Sequence, residues 1–208
     1  AASTGDIIVT VDDDLVVPDC WLEKLLAPFA RPDVRAVTRN VLPFELETSA
    51  QQTFEAFGSG GLGRGYYRFE VGPDWFERSW RHAVPTWLLG GTANSAYRAD
   101  VFSDTRVGLM NEALGPGMPS GVGEDIYLFY KVLKSGGTIC YEPAAHLWHK
   151  HRKDNAALRR QLYGYSKGLT SYHLTTLIND RDVRAVIALA VHLPVYRLQQ
   201  LWRWIRGK

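Results

Sequence analysis

Residues 6–21, DIIVTVDDDLVVPDCW, place three consecutive aspartates directly after a run of apolar and mostly β-branched residues. The run at residues 7–11 predicts a strand that is buried on both faces, as strands of parallel sheets are. Asp12, Asp13 and Asp14 would then lie at the carboxyl end of that strand, where ligands of open α/β sheets bind. The stretch therefore predicts an α/β fold with an acidic ligand site at one edge of the sheet.

Two interpretations of the three aspartates stay open from the residues alone. Neighbouring carboxylates raise each other's pKa, so they need solvent, backbone amides or a bound cation. A solvated turn that caps the helix starting near Pro18 and Asp19 would satisfy them. A site for Mg²⁺ or Mn²⁺ would also satisfy them, because these ions bind one or two carboxylates together with substrate phosphates.

The composition is that of a globular protein that acts in the cytoplasm. Of 208 residues, 46% are hydrophobic and 12% are aromatic, which is enough for one domain core and an appendage. The sequence shows no secretory signal and no run of roughly 20 apolar residues. Its two cysteines match no metal or disulfide spacing. We expect no nucleic-acid partner.

Charge divides the chain into two parts. Residues 150–208 carry 12 Lys and Arg against 3 Asp, a net charge of +9, whereas residues 1–149 carry 12 basic against 19 acidic residues, −7. We therefore predict a domain over residues 1–152 and a basic amphipathic helical tail over residues 153–208. The tail holds Trp202 and Trp204 beside arginines. Such a helix can lie on an anionic membrane, at its inner face, or pack on the domain.

The segments after the aspartates alternate between helix and strand patterns. DCWLEKLLAPFA has apolar residues at helical spacing, and VRAVTRNVLPF then reads as a strand. A strand–helix–strand unit of this length predicts a right-handed crossover and a largely parallel sheet. Further on, TWLLGGTANSAYR predicts an apolar strand, a glycine pair and a second strand.

A glycine-rich loop leads into a helix with two acidic residues in its first turn. In GVGEDIYLFYKVLKSGG these are Glu124 and Asp125. They could simply stabilise the helix dipole, by about 0.3–1 kcal/mol. Under a mobile glycine loop, one of them could instead act as a general base. The following strand ends in a histidine-rich segment with His146, His149 and His151.

Four segments in this order resemble the family 2 glycosyltransferases of the GT-A fold, inverting enzymes that use nucleotide-diphosphate sugars. VDDDLVVPDCWL is similar to the Asp-x-Asp metal motif, and PTWLLGGTANSAYR to the acceptor-side segment. GVGEDIYLFYKVLKSGG resembles the helix with the catalytic base, and YEPAAHLWHKHR resembles the segment whose His completes the metal site. The resemblance covers about residues 5–170.

The resemblance implies a role for each matching residue. Asp12 and Asp14, with Asp13 interchangeable, would bind Mn²⁺ or Mg²⁺ and the donor diphosphate, and His149 would be the remaining metal ligand. Asp125 would be the base and Glu124 would orient it or the acceptor. The acceptor side would comprise Trp87, Leu88, Gly90, Gly91 and Asn94. The partners implied are a nucleotide-diphosphate sugar, a saccharide or lipid-linked acceptor of the cell envelope, and an anionic membrane surface.

One departure from the family qualifies the fold expected. About a hundred residues of βαβ structure normally precede the Asp motif, and here eleven residues precede Asp12. We therefore expect a GT-A-like α/β fold, a mostly parallel sheet flanked by helices, that lacks the N-terminal nucleoside-binding half and ends in a helical tail. Two rival functions are a non-catalytic remnant that binds sugar or a partner, and a metal-dependent hydrolase that uses Asp12, Asp14 and His149.

Overall fold

The computed structural model describes residues 4–56, 61–80, 82–91 and 94–205. These residues form a mixed sheet of six strands flanked by helices, so the predicted α/β class is confirmed. The order across the sheet is β1-β5-β3-β6-β2, and β4 also pairs with β6. The strands are β1 (Ile7–Val11), β2 (Leu15–Val16), β3 (Val34–Pro43), β4 (Phe69–Val71), β5 (Asn94–Arg98) and β6 (Thr138–His149).

The long strands share one direction, but most neighbouring pairs are antiparallel. β3 and β6 pair in parallel, whereas β5 runs antiparallel to both β1 and β3, between which it lies. β1, β3 and β6 therefore point the same way, as the crossover predicts. The sheet is less parallel than predicted because β1 and β3 are not neighbours. β5 lies between them and runs in the opposite direction.

Helices form where they were predicted after the aspartates, after the glycine-rich loop and in the C-terminal residues, whereas two short helices were not predicted, and one predicted strand is absent from the described residues. The helices are α1 (Trp21–Leu26), α2 (Ser49–Ala56), α3 (Pro73–Arg78), α4 (Asp100–Ser103), α5 (Glu124–Lys134), α6 (Asn155–Asp180), α7 (Arg184–Ile187) and α8 (Leu193–Ile205). The two that were not predicted are α3 and α4. The prediction of an apolar strand at the start of TWLLGG was wrong. Thr86–Leu88 is a 3₁₀ turn, in which Leu88 N–H donates to the Pro85 carbonyl. Pro85 has a fixed φ and no N–H, which suits it to start a turn.

The core lies on both faces of the sheet. On one face, α5 buries Leu128, Phe129 and Val132 against residues that include Tyr97 of β5. On the other face, Leu25 of α1 packs on a smaller cluster from β3, β5 and β6. β1 is not buried on both faces as predicted, because it is an edge strand that is only half-buried, and Val11 at its end is 52% exposed.

The C-terminal residues are helical as predicted, and the first of their helices packs in the core. α6 buries Leu158, Tyr172 and His173, and the Tyr172 hydroxyl donates to the Val84 carbonyl at 2.7 Å. The division of the chain at residue 152 stays a prediction. Of the helices in the described part of the chain, none is long and apolar enough to cross a membrane.

Candidate functional site

Asp14 and His149 meet at the carboxyl end of the sheet. The two-residue strand β2 pairs with the end of β6, so that Leu15 lies opposite His149. The Lys150 N–H donates to the Asp14 carbonyl at 3.2 Å, which continues this pairing. As a result, His149 Nε2 lies 3.4 Å from Asp14 Oδ2. Their predicted proximity is therefore observed, while their role as metal ligands stays a prediction.

The surroundings of this pair fit a cation better than they fit a simple ion pair. Burial lowers the pKa of His149, although the charge of Asp14 acts in the opposite direction, so the ring is mainly neutral at neutral pH. The second oxygen of Asp14, Oδ1, is buried and has no hydrogen-bond partner among the described residues. A buried carboxylate oxygen without a partner is costly unless a cation binds it.

A complete metal site is not assembled from protein side chains alone. Within the described ranges, no group of three His, Cys, Asp or Glu side chains is arranged to hold an ion. The structure thus brings together two of the three predicted ligands, and Asp12 does not complete the set. Two protein ligands are nevertheless usual for Mg²⁺ or Mn²⁺ when substrate phosphates provide the remaining oxygens.

The charge of Asp125 at the start of α5 reaches Asp12 at the end of β1. Asp12 and Asp13 are exposed in the turn between β1 and β2. Although Asp12 is exposed, nearby protein atoms remove part of its hydration, and this loss, followed by the charges of Asp14 and Asp13, raises its pKa, with a smaller contribution from Asp125 in the same direction. The acidic cluster therefore includes both predicted groups of carboxylates.

A buried arginine beside this cluster was missed from the sequence. Arg39 of β3 is only 2% exposed, and its guanidinium lies 5.3 Å from the centre of the Trp21 ring. Burial lowers its pKa to about 9, and it lowers the pKa of Asp12 in return. It is still cationic at neutral pH and partly balances the carboxylates. An Arg in the middle of a long predicted strand, VRAVTRNVLP, was the available signal.

The first turn of α5 holds Glu124 and Asp125, both half-buried. Asp125 Oδ1 accepts from the Ile126 N–H at 2.6 Å, while Oδ2 lies so close to Gly91 that an added Cβ there would be 3.4 Å from it. Glu124 Oε2 accepts from the Gly123 N–H at 2.9 Å. Burial, and next the charge of Asp125, raise the pKa of Glu124. Asp125 is thus the carboxylate that faces the predicted acceptor segment.

The predicted acceptor-side residues do not all face one space. Leu88 lines a cleft of 450 Å³ together with Arg64 and Leu89. Trp87 instead packs its ring on Tyr172 and His173 of α6, with ring centres 6.2 and 5.7 Å away. Gly90 has a φ of 115° and lies against Thr38, where an added Cβ would be 3.1 Å from the Thr38 Cβ. Asn94 opens β5, opposite Val11.

Two glycines of α6 support the loop that leads to Asp125. A Cβ on Gly168 would lie 2.2 Å from the Val122 carbonyl oxygen, and a Cβ on Gly121 would lie 3.4 Å from the Gly164 Cα. Only glycine permits the first of these approaches. Gly164 and Gly168, four residues apart on the same helix face, were a signal that the sequence analysis did not use.

Two residues near His149, namely His151 and Glu55, were not assigned a role from the sequence. His151 is buried, and its Nδ1 lies 2.9 Å from His149 Nδ1, while its Nε2 lies 2.7 Å from Glu55 Oε1. His146 does not take part, because it lies on the opposite face of β6 and packs on Trp148. The alternation of side chains along a strand, which puts residues 149 and 151 on one side, was the available signal.

Comparison with known proteins identifies the family of this chain. Residues 1–163 match the family described as glycosyltransferase like family 2. Two curated relatives are named pre-mycofactocin glycosyltransferase, from Mycobacterium tuberculosis strains CDC 1551 / Oshkosh and ATCC 25618 / H37Rv. Each is 27% identical over 168 residues, which make up 80% of this chain and 32% of the relative. The chain therefore spans about a third of the length of these relatives. Since the family match covers most of the sequence, the chain belongs to the glycosyltransferase like family 2.

Proposed function

We propose that this chain forms the metal- and acceptor-side part of an inverting glycosyltransferase that uses a nucleotide-diphosphate sugar. The single observation that carries the proposal is the 3.4 Å contact between His149 Nε2 and Asp14 Oδ2 at the carboxyl end of the sheet. The influence of the Asp125 charge on the pKa of Asp12 supports a location of Asp125 near the same acidic cluster. Family membership supports the same reaction class.

In the proposed reaction, Asp125 acts as the general base. Its carboxylate accepts the proton of an acceptor hydroxyl while the acceptor oxygen forms a bond to C1 of the donor sugar. The bond between C1 and the diphosphate oxygen breaks on the opposite face, so the nucleoside diphosphate leaves and the anomeric configuration inverts. Gly91 leaves the space beside Asp125 Oδ2 that an incoming hydroxyl requires.

Asp14 and His149 would hold the metal ion, with Asp12 or Asp13 contributing to the diphosphate site. When bound, Mn²⁺ or Mg²⁺ supplies Lewis-acid stabilisation of the negative charge that develops on the departing diphosphate. The protein's own contribution is the position of the ligands. β2 and β6 fix Asp14 and His149 through backbone pairing, so their separation does not depend on a mobile loop.

Titration of the full-length protein with nucleotide-diphosphate sugars, with and without Mn²⁺, tests the proposal. We expect the donor to bind with a measurable heat only when Mn²⁺ is present. When an acceptor is added, we expect a product of inverted anomeric configuration. Donor binding without any turnover would favour the non-catalytic remnant. Release of free sugar at the same rate with and without acceptor would favour the hydrolase.

We also propose that the C-terminal helix rests on an anionic membrane surface. Val195, Leu198 and Trp202 of α8 are spaced as one helical face, and all three are exposed. The same segment carries Arg197 and Arg203. An exposed apolar stripe beside basic residues suits the boundary between lipid head groups and acyl chains, and such a location would suit a lipid-linked acceptor.

For this surface, we expect tighter binding to vesicles with anionic lipids than to neutral vesicles, and weaker binding as salt is added. Leu198→Ser should weaken binding to both kinds of vesicle, since it removes apolar area only. Ile178→Ser, an exposed apolar residue on α6, is the matched control. Equal binding to anionic and neutral vesicles would contradict the electrostatic part of the proposal and favour a protein partner for the stripe.

A further inference from the structure

Glu55, His151 and His149 form a continuous chain of contacts that ends at Asp14. Glu55 Oε1 lies 2.7 Å from His151 Nε2, and His151 Nδ1 lies 2.9 Å from His149 Nδ1. The far nitrogen of the second ring, His149 Nε2, lies 3.4 Å from Asp14 Oδ2. The proposed function uses only the last contact of this chain.

The positions of the protons follow from the donors and acceptors along the chain. An ionised carboxylate can only accept, so the hydrogen bond to Glu55 requires a proton on His151 Nε2. In a neutral His151 ring, Nδ1 then has a lone pair and must accept from His149 Nδ1. A doubly protonated His151 would instead donate from Nδ1 and place the His149 proton on Nε2, but the 3.4 Å between that nitrogen and Asp14 Oδ2 is longer than the roughly 2.8 Å usual for an N–H donor and a carboxylate. The geometry therefore favours a proton on Nδ1 of His149, with the lone pair of Nε2 towards Asp14.

The same helix, α2, fixes His151 by three separate contacts. Besides Glu55, Phe54 packs its ring edge-on to His151 with ring centres 4.8 Å apart, and Gln51 Nε2 donates to the His151 carbonyl at 3.5 Å. Gly61 lies against the Glu55 carboxylate, where an added Cβ would be 2.1 Å from Oε1. His151 is thus held in a built pocket rather than in a surface turn.

We propose that Glu55, acting through His151, is a positioning residue that fixes His149 as the Nδ1–H tautomer and so directs the Nε2 lone pair towards Asp14. A ligand histidine needs this orientation, because a proton on Nε2 would block coordination. In this tautomer no proton lies between His149 Nε2 and Asp14 Oδ2, so two lone pairs face each other at 3.4 Å. A cation that binds both atoms would remove their repulsion. The consequence for a metal rests on the proposed function, whereas the tautomer itself does not.

The tautomer can be measured directly in the metal-free protein. Two-bond ¹⁵N–¹H correlation spectra of histidine rings distinguish a proton on Nδ1 from one on Nε2, and His149→Gln identifies the His149 signals. We expect the proton on Nδ1 of His149 in the natural protein and in Glu55→Gln, whose amide oxygen can still accept from His151. In Glu55→Ala the preference for Nδ1 should be lost. A proton on His149 Nε2 in the natural protein would overturn the proposal, and so would an unchanged preference in Glu55→Ala.

Metal binding provides the second measurement. We expect Glu55→Ala to weaken Mn²⁺ binding about 10- to 100-fold, the usual effect of removing an outer partner of a ligand histidine. Glu55→Gln should change it by less than about 3-fold, and Glu77→Ala, which removes an exposed carboxylate on α3, should leave it unchanged. Equal affinity in Glu55→Ala and the natural protein would count against the relay. Failure of the natural protein to bind Mn²⁺ would count against the proposed function instead, while the spectra would still decide the tautomer.

Discussion

In the full-length protein, replacing Asp125 by Asn is expected to lower the rate of sugar transfer by a factor of roughly 100 to 10,000, the range for a lost general base. The substitution keeps the size of the side chain and its hydrogen-bonding oxygen, so the contact to the Ile126 N–H can persist. It removes only the ability to take a proton from the acceptor hydroxyl. Turnover should therefore fall while the dissociation constant of the donor stays nearly the same.

A helix-capping role for Asp125 predicts a different pattern. Loss of a charge in a first helical turn costs about 0.3–1 kcal/mol of stability and has no direct effect on chemistry. Asp74→Asn is the matched control, because Asp74 is an exposed acidic residue in the first turn of α3. If Asp125→Asn and Asp74→Asn both lower the melting temperature slightly and both leave turnover intact, Asp125 is a capping residue.

The elements that the sequence predicted best are those in which local pattern and burial agree. The apolar spacing of α5 identified a helix that buries one face, and β3 was recognisable as a long apolar strand. The strand predicted at TWLLGG failed for a local reason, the turn that Pro85 starts, whereas the prediction of a fully buried β1 failed because of long-range arrangement. Whether residues 7–11 are central or at an edge depends on which strand takes the next position, and no local pattern contains that information. β5 fills the position beside β1 from more than eighty residues away.

The charged residues of the candidate site could be predicted from the sequence, whereas the residues that position them could not. Three aspartates after a strand and two acidic residues at a helix start are visible as sequence motifs. The contribution of Glu55 is not visible, because an exposed-looking Glu in an amphipathic helix has many ordinary uses. It gains its position only when α2 packs beside the end of β6 and brings Glu55 to His151. Arg39 likewise becomes notable only through its burial.

The metal ligands give the second large expected effect. Asp14→Asn and His149→Gln should each abolish measurable Mn²⁺ binding in the presence of a nucleoside diphosphate. Metal stabilisation of a departing phosphate is worth several kcal/mol, and a loss of about 4 kcal/mol corresponds to a rate lower by roughly 1,000-fold. Both substitutions keep a polar side chain of similar size, so the pairing of β2 with β6 should survive.

His146→Gln is the matched control for the histidine, since His146 lies on the same strand but on its other face and away from Asp14. It should leave Mn²⁺ affinity unchanged. The metal-free stability of Asp14→Asn separates a metal site from a structural ion pair. Because Asp14 Oδ1 is buried and has no hydrogen-bond partner within the described ranges, neutralising this carboxylate should leave the melting temperature unchanged or raise it without metal, and only the stabilisation added by Mn²⁺ should disappear. A lower metal-free melting temperature together with normal Mn²⁺ binding would show that Asp14 serves the fold and that the diphosphate is bound elsewhere.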